Sequence, residues 1–207
     1  MVFLFLVATM ISPFAQATQS AYAEQDAERL RSLLERASSR SDSLLVRYRL
    51  YPLTEDASVL EGIPESLSDG TAREYALLSG LWAYRAGEAS LFSAFRYGRR
   101  STHLLETAKA HAPKDPFVLL VEGQSLLFRP AIAGKDAAAA AQRFATLAEI
   151  VEKEGVAGIS QTEANAWRCI ALEEAGHTRE AEALRENMRT QDLAPLYRQF
   201  LESPPDV

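Results

Sequence analysis

The spacing of residues between Cys169 and Ala181 constrains the fold of this chain more than any other sequence feature. Cys169, Leu172 and Ala181 are small or apolar residues at fixed offsets around one glycine, Gly176. Glycine allows the positive φ that a tight turn between two helices requires, and small side chains let the two helix backbones approach closely. The pattern therefore predicts two short helices folded against each other. Looser copies upstream extend the prediction to a stack of helical hairpins.

The composition agrees with one helical domain. The chain has 207 residues, of which 47% are hydrophobic and 24% charged, as is ordinary for a globular domain with a hydrophobic core. Residues that favour helices, above all Ala, Leu, Glu and Arg, outnumber the β-branched ones. The net charge of −6 argues against nucleic acid as a partner, because a phosphate backbone calls for a basic surface.

Several helix starts are recognisable in the sequence. Thr71 with Glu74, and Ser160 with Glu163, have the spacing of a capping box, in which a hydroxyl and a carboxylate each satisfy a free backbone N–H. The dipeptide Asp115-Pro116 combines an N-cap acid with a proline at the first helical position. These patterns predict three helix starts.

The first 23 residues contain no Asp, Glu, Lys or Arg. An apolar run from Val2 to Ile11 is followed by Pro13 and then by Ala21-Tyr22-Ala23, which is the order of a secretory signal peptide. The run is too short to span a membrane, which takes about 20 apolar residues. We therefore expect a signal peptide at residues 1–23, removal at about Ala23, a periplasmic or secreted mature chain and no transmembrane segment in it. A buried N-terminal helix is the alternative.

The hairpin pattern occurs in three degenerate copies between residues 72 and 195. Their matching positions are Ala76, Gly80 and Ala83; Leu119, Gly123 and Leu126; and Cys169, Leu172, Gly176 and Ala181. The spacing resembles the tetratricopeptide repeat (TPR), and the segment LLFRPAIAGKD at 126–136 looks like a loop of exported, largely uncharacterised bacterial proteins with such repeats. The resemblance implies an all-α superhelix of degenerate TPR-like hairpins with about eight to nine helices. It also implies one domain over residues 24–207.

No residues in the sequence form a recognisable catalytic or metal-binding pattern. His103, His111 and His177 lie far apart and lack metal-ligand spacing to the single cysteine, Cys169. Cys169 occupies a small-residue position of the repeat, which favours a packed and unreactive thiol over a nucleophile. We therefore expect no enzyme activity, no catalytic or metal-ligating residues and no cofactor.

The stretch from Trp82 to Arg100 is the best candidate for a binding site. It concentrates aromatic residues and arginines in an otherwise acidic chain, and its selected members are Tyr84, Arg85, Arg96, Arg99 and Arg100. Arginine pairs with carboxylates and aromatic rings supply buried anchors, so this stretch favours a peptide or an acidic ligand. The alternative is that the aromatic residues belong to the core and the arginines pair with local acids.

A second candidate is the loop from Phe128 to Asp136, because an insertion between repeat helices can contact a partner. Its alternative interpretation is a proline that ends one helix and an N-cap aspartate that begins the next.

Together these features predict a non-catalytic scaffold that binds a protein, peptide or small acidic ligand in the bacterial cell envelope. A more distant resemblance to the helical periplasmic partner of some solute-binding transport systems gives the alternative of a transport accessory. An envelope enzyme of unknown type is a further alternative.

Overall fold

The computed structural model describes residues 12–207, and this part of the chain is entirely helical, with no strand. Two short 3₁₀ helices, Ala57–Leu60 and Ala131–Ala133, accompany ten α-helices. The α-helices are α1 (Pro13–Ala23), α2 (Ala27–Arg36), α3 (Arg40–Thr54), α4 (Ala72–Gly87), α5 (Leu91–His111), α6 (Pro116–Phe128), α7 (Ala137–Glu154), α8 (Gln161–Glu174), α9 (Thr178–Arg189) and α10 (Pro195–Glu202). The all-α fold class is confirmed. There are ten α-helices rather than eight to nine, and the additional one is α1.

Two of the three predicted helix starts have the predicted caps. At α4, the Thr71 hydroxyl accepts from the backbone N–H of Glu74 at 3.2 Å, while the Glu74 carboxylate accepts from the backbone N–H of Thr71 at 2.9 Å. At α6, the carboxylate of Asp115 accepts from the first free N–H groups of the helix. The capping box of α8 is only half formed. Ser160 accepts from the N–H of Glu163, but the Glu163 carboxylate points into the core instead of back to the cap.

Two of the three repeat glycines lie where a neighbouring side chain presses on the backbone, and the third lies in a turn. A Cβ atom at Gly123 of α6 would lie 2.5 Å from the ring of Phe144 on α7, so only glycine fits without movement. A Cβ atom at Gly80 of α4 would overlap the ring of Tyr48, which belongs to α3. The close approach at Gly80 is therefore to the preceding helix and not to the hairpin partner, α5. Gly176 joins α8 to α9 at φ +77°, as the turn in the pattern requires.

The helices stack as consecutive hairpins, α4 with α5, α6 with α7 and α8 with α9. Tyr48 of α3 contacts both of the first two hairpins, because its ring lies against Gly80 of α4 and its hydroxyl donates a hydrogen bond to Gln124 of α6. Lys135, just before α7, pairs with Glu174 at the end of α8 at 2.6 Å, so the α6–α7 and α8–α9 connections lie together. We call the side of the stack where these two connections lie the hairpin end.

Helix α1 packs against α2, α3 and α10. Its buried residues are Ala15, Thr18, Ala21, Tyr22 and Ala23. It covers the second half of the predicted signal peptide, whereas the apolar run from Val2 to Ile11 lies outside the described residues. Residues 13–23 thus adopt the alternative arrangement, a buried helix. Removal of the segment at Ala23 stays a prediction, and it would take α1 away from the fold. Among the described helices, none has both the length and the apolar character needed to cross a membrane.

Candidate functional site

Tyr84 lies on the inner side of α4, in a stack of three tyrosine rings. Its ring centroid is 4.8 Å from that of Tyr51 and 5.6 Å from that of Tyr48. Burial, with a smaller contribution from Tyr48, raises the pKa of Tyr84 well above its usual value. The structure thus places this candidate between α3 and α4, apart from the exposed residues of α5.

Arg85 and Arg100 lie around the buried indole of Trp82. The guanidinium of Arg100 is 4.4 Å from the ring centroid of Trp82, and it donates to Glu65 at 3.0 Å. The guanidinium of Arg85 lies between two rings, 5.2 Å from Trp82 and 5.4 Å from Tyr97. Both arginines are therefore engaged in cation–π contacts inside the protein. They join α4 to α5, and Arg100 also holds the loop that carries Glu65.

Arg96 and Arg99 differ from these two because they are exposed on α5 and make no ion pair within residues 12–207. The guanidinium of Arg96 lies 5.1 Å from the ring of Tyr97 and donates to its hydroxyl at 3.4 Å. That hydrogen bond lowers the pKa of Tyr97. Arg99 lies 5.9 Å from the ring of Phe95. Both charges are available to an acidic partner.

Three large apolar side chains precede these arginines and point into solvent. Leu91 is 84% exposed, Phe92 91% and Phe95 70%. Phe92 and Phe95 are among the aromatic residues of the predicted stretch from Trp82 to Arg100, and they share a face of α5 with Arg96 and Arg99. We call the set of Leu91, Phe92, Phe95, Arg96 and Arg99 the α5 patch. Large apolar side chains exposed together on one helix are typical of interaction sites, so the α5 patch is the candidate binding site.

The loop from Phe128 to Asp136 places two further apolar residues at the hairpin end. Phe128 is 46% exposed and Ile132 is 99% exposed, and together with the α5 patch they are the only large exposed hydrophobic residues in the described chain. Asp136 caps α7 by accepting from Ala139 at 2.9 Å, as the plain reading of the loop predicts. The two readings are compatible, because the cap lies at the base of the loop and Ile132 lies at its tip.

A shallow groove of about 420 Å³ runs along the other side of α5. Arg100, His103 and Thr107 line it from α5, and Glu65 and Tyr75 line it from the facing elements. The ion pair between Arg100 and Glu65 already neutralises the cation of this groove. The groove therefore attracts an acidic ligand less than the α5 patch does.

The residues with reactive side chains are dispersed. Cys169 is buried and lies 3.4 Å from the carbonyl oxygen of Ala181, and burial raises the pKa of its thiol. His111 meets the ring of Tyr75 edge-on at 5.2 Å, in a different part of the fold. Across residues 12–207, no three His, Cys, Asp or Glu side chains come together in a group that could hold a metal ion.

An ion pair buried in the core was not predicted from the sequence. Arg49 of α3 is 1% exposed and Glu163 of α8 is 0% exposed, and their side chains form two hydrogen bonds, one of 2.9 Å. Arg49 also donates to the carbonyl of Gly158 at 2.9 Å, and its guanidinium lies 4.6 Å from the ring of Tyr22. Its Nε has no hydrogen-bond partner in the described part of the chain.

The pKa values of this pair reflect its burial. Desolvation raises the pKa of Glu163, although the charge and the hydrogen bonds of Arg49 oppose the shift. For Arg49, desolvation is the largest effect and lowers the pKa, but the charge and the hydrogen bonds of Glu163 together with the nearby tyrosines outweigh it, so the net pKa is raised and the guanidinium stays charged. The pair was missed because its members are 114 residues apart, and no local pattern connects them.

Comparison with known proteins gives no relative from which a role for these residues could be transferred: neither a protein-family model, nor a curated protein, nor a solved structure matches the chain.

Proposed function

We propose that this chain is a non-catalytic scaffold of degenerate TPR-like hairpins that binds a protein or peptide partner through the α5 patch. The observation that carries the proposal is the composition of the patch: three exposed apolar side chains next to Arg96 and Arg99, which make no ion pair in the described structure. Exposed aromatic residues beside arginines are typical of the residues that dominate binding energy in interfaces. The expected partner surface is apolar with carboxylates at its edge.

Rigid neighbours support the patch. The guanidinium of Arg100 on α5 lies 4.4 Å from the ring of Trp82 on α4, and that of Arg85 on α4 lies 5.4 Å from the ring of Tyr97 on α5. These cation–π contacts join the two helices, so the exposed residues stand on a fixed helix. A helical site that is already ordered loses less conformational entropy on binding than a loop does. The arginines supply the charge that selects an acidic partner, and a guanidinium can bind a carboxylate with two parallel hydrogen bonds.

The cellular setting of this function is the bacterial cell envelope. The proposal includes export of the chain and removal of residues 1–23, which rest on the uncharged apolar N-terminus and the small residues that end at Ala23. Sequencing the N-terminus of the protein from a periplasmic fraction tests this part. We expect the mature chain to begin at Glu24, and a full-length cytoplasmic protein would contradict it.

A crosslinking pull-down from intact cells tests the patch. We compare the wild type with a Phe92→Ser/Phe95→Ser variant and with an Arg96→Gln/Arg99→Gln variant. The matched control is Arg29→Gln/Arg179→Gln, which removes the same charge from exposed sites elsewhere. Loss of about 1–2 kcal/mol at each hot-spot residue weakens binding about tenfold or more, so both patch variants should lose the partner.

The control variant should capture the same proteins as the wild type. If both patch variants keep every captured protein at the wild-type level, the α5 patch is not the binding site. Circular dichroism of each variant confirms that a lost partner does not result from unfolding, because the substituted side chains are exposed and contribute little to stability.

A further inference from the structure

Helix α1 occupies a groove between the two ends of the helical stack. It packs against α2 and α3 on one side and against α10 on the other. Gln19 donates to the hydroxyl of Tyr197 at 3.2 Å, and Ala15 lies close to Gly158 in the connection between α7 and α8. The groove is therefore formed by α2, α3, α10 and the α7–α8 connection, and α1 fills it.

The floor of the groove is the buried ion pair. The guanidinium of Arg49 lies 4.6 Å from the ring of Tyr22, which is the contribution of α1 to this contact. The Nε of Arg49 has no partner in the described residues, although the side chain is 1% exposed. A buried and incompletely bonded cation beneath an aromatic ring is a feature that a ligand can recognise.

The chemistry of α1 shows what the groove accepts. Residues 13–23 carry no charge, and their fully buried side chains are small except for the ring of Tyr22, while the ring of Phe14 is half-buried against the core. Ala15, Thr18 and Ala21 repeat at spacings of three, so they share one face of the helix. An amphipathic helix that lies in an apolar groove is a recurring mode of peptide recognition.

The segment that fills the groove ends at the predicted processing position. Ala23 is the last residue of α1 and is itself buried, so a chain cut after Ala23 loses the whole helix. Leu30 of α2 and Leu45 and Arg49 of α3 are buried in the structure, and they belong to the two helices against which α1 packs. A groove with an apolar wall and a partly bonded charge at its floor is unfavourable when empty, because its apolar surface meets water.

We propose that this groove is a helix-binding site of the processed chain, and that α1 occupies it until processing. Its ligand is a short uncharged helix of a partner protein, with small residues toward the floor and one aromatic ring over Arg49. The inference rests on the processing that the proposed function includes, and it concerns a surface separate from the α5 patch. The two sites are at different places on the stack, so each can be lost without the other.

The test uses the complete chain, cut after folding. A protease recognition sequence is inserted in the exposed turn between Glu24 and Asp26, and the folded protein is cleaved there. A fluorescent synthetic peptide with the sequence of residues 13–23 is then added in excess, and its uptake is followed by fluorescence anisotropy. Circular dichroism and size-exclusion chromatography report whether the cut chain stays folded after its own segment has left.

We expect the cut chain to stay folded and to exchange its segment for the labelled peptide. A peptide with Tyr22→Ala should bind about tenfold more weakly or worse, since it lacks the ring over Arg49. A scrambled peptide of the same composition is the matched control and should not bind. The inference is overturned if the cut chain unfolds when its segment leaves, if the segment cannot be displaced, or if the scrambled peptide binds equally well.

The peptide-exchange test can fail while the proposed function holds, and the two failures can be told apart. A mature N-terminus at Glu24 together with a cut chain that rejects the peptide refutes the groove and leaves export standing. Peptide exchange in vitro together with an uncut chain in cells refutes the processing and with it the inference, because α1 then always fills the groove. Loss of partners from the α5 patch variants bears on neither outcome.

Discussion

Replacing Glu163 by glutamine should destabilise the fold more than any other single exchange of a carboxylate for an amide. The substitution keeps the size of the side chain but removes its charge, and it leaves Arg49 charged at 1% exposure. Arg49 keeps its bond to the carbonyl of Gly158 at 2.9 Å, while its Nε already lacks a partner in the described residues. Only the carbonyl of Gly158 and the new amide would then bond to this buried cation, and no anion would compensate its charge.

The expected magnitude follows from the burial of the pair. Breaking a buried ion pair by removing one member costs about 3–5 kcal/mol, because the remaining charge stays in a medium of low polarity. For a chain of this length each kcal/mol lowers Tm by about 2–4 °C, so Glu163→Gln should lower Tm by about 6–20 °C. A typical domain has only about 5–15 kcal/mol in total, so the variant should be marginally folded.

Thermal and urea unfolding followed by circular dichroism measure this loss. The matched control is Glu149→Gln, which breaks an exposed pair with Lys153 and should change the free energy of unfolding by less than about 0.5 kcal/mol. A loss below about 1 kcal/mol for Glu163→Gln would refute the reasoning, because the pair could then not be buried as the structure has it.

The double variant Arg49→Met/Glu163→Leu separates charge from packing. It removes both charges and fills the space with apolar side chains of similar size, so no uncompensated charge remains. Such replacements are neutral or stabilising in several proteins. The double variant should therefore be more stable than Glu163→Gln alone, and a loss equal to the sum of the two single losses would contradict the electrostatic explanation.

Three further predictions follow from single sites. Gly98→Ala should stabilise α5 by about 0.5–1 kcal/mol because a Cβ atom there meets open space. Gly123→Ala should destabilise the fold by about 1–3 kcal/mol because its Cβ atom would overlap the ring of Phe144. Urea unfolding distinguishes the two variants, and equal effects would contradict the packing at these glycines. Cys169 should react with a thiol reagent much faster in the denatured than in the folded chain, because burial raises its pKa; equal rates would contradict this burial. Hydrogen bonds from Arg40 lower the pKa of Glu74, so the free energy of unfolding should fall as the pH drops from 4.5 through that lower pKa. Arg40→Gln should reduce this loss of stability in urea unfolding at a series of pH values, and an unchanged pH profile would contradict the reasoning.

Features carried by neighbouring residues were predictable from the sequence. Thr71 and Glu74 are three residues apart, and a cap depends only on such local geometry, so the start of α4 agrees with its pattern. Gly123 belongs to a repeat spacing that requires close approach, and Phe144 does press on it. The order of the helices from α2 to α10 follows from the same kind of local pattern.

Features carried by distant residues were not predictable. Glu163 has the position of a capping-box residue, and that position predicts a hydrogen bond from the cap to its carboxylate. In the structure the carboxylate binds Arg49, because a buried cation is a stronger partner. The candidate binding residues fall into a buried and an exposed group for the same reason. Tyr84 contacts rings of α3, Arg85 contacts Tyr97 of α5, and Arg100 contacts α4 and Glu65, and no spacing on their own helices reveals these contacts. Only the contact of Arg85 with Trp82, three residues away on α4, is local. Phe92 and Phe95 lie in the stretch predicted from the sequence, where helical periodicity places them beside Arg96.

The bond between α3 and α8 has a consequence for how this protein unfolds. In a linear repeat array each unit touches only its neighbours, so such a protein can unravel progressively from one end. Here Arg49 joins residues 114 positions apart, and α1 contacts α10, so the first and last helices of the described stack form one closed contact network. Neither end can fray without breaking that network. The chain should therefore melt in one cooperative step, and it should fold more slowly than an open helical array of equal length.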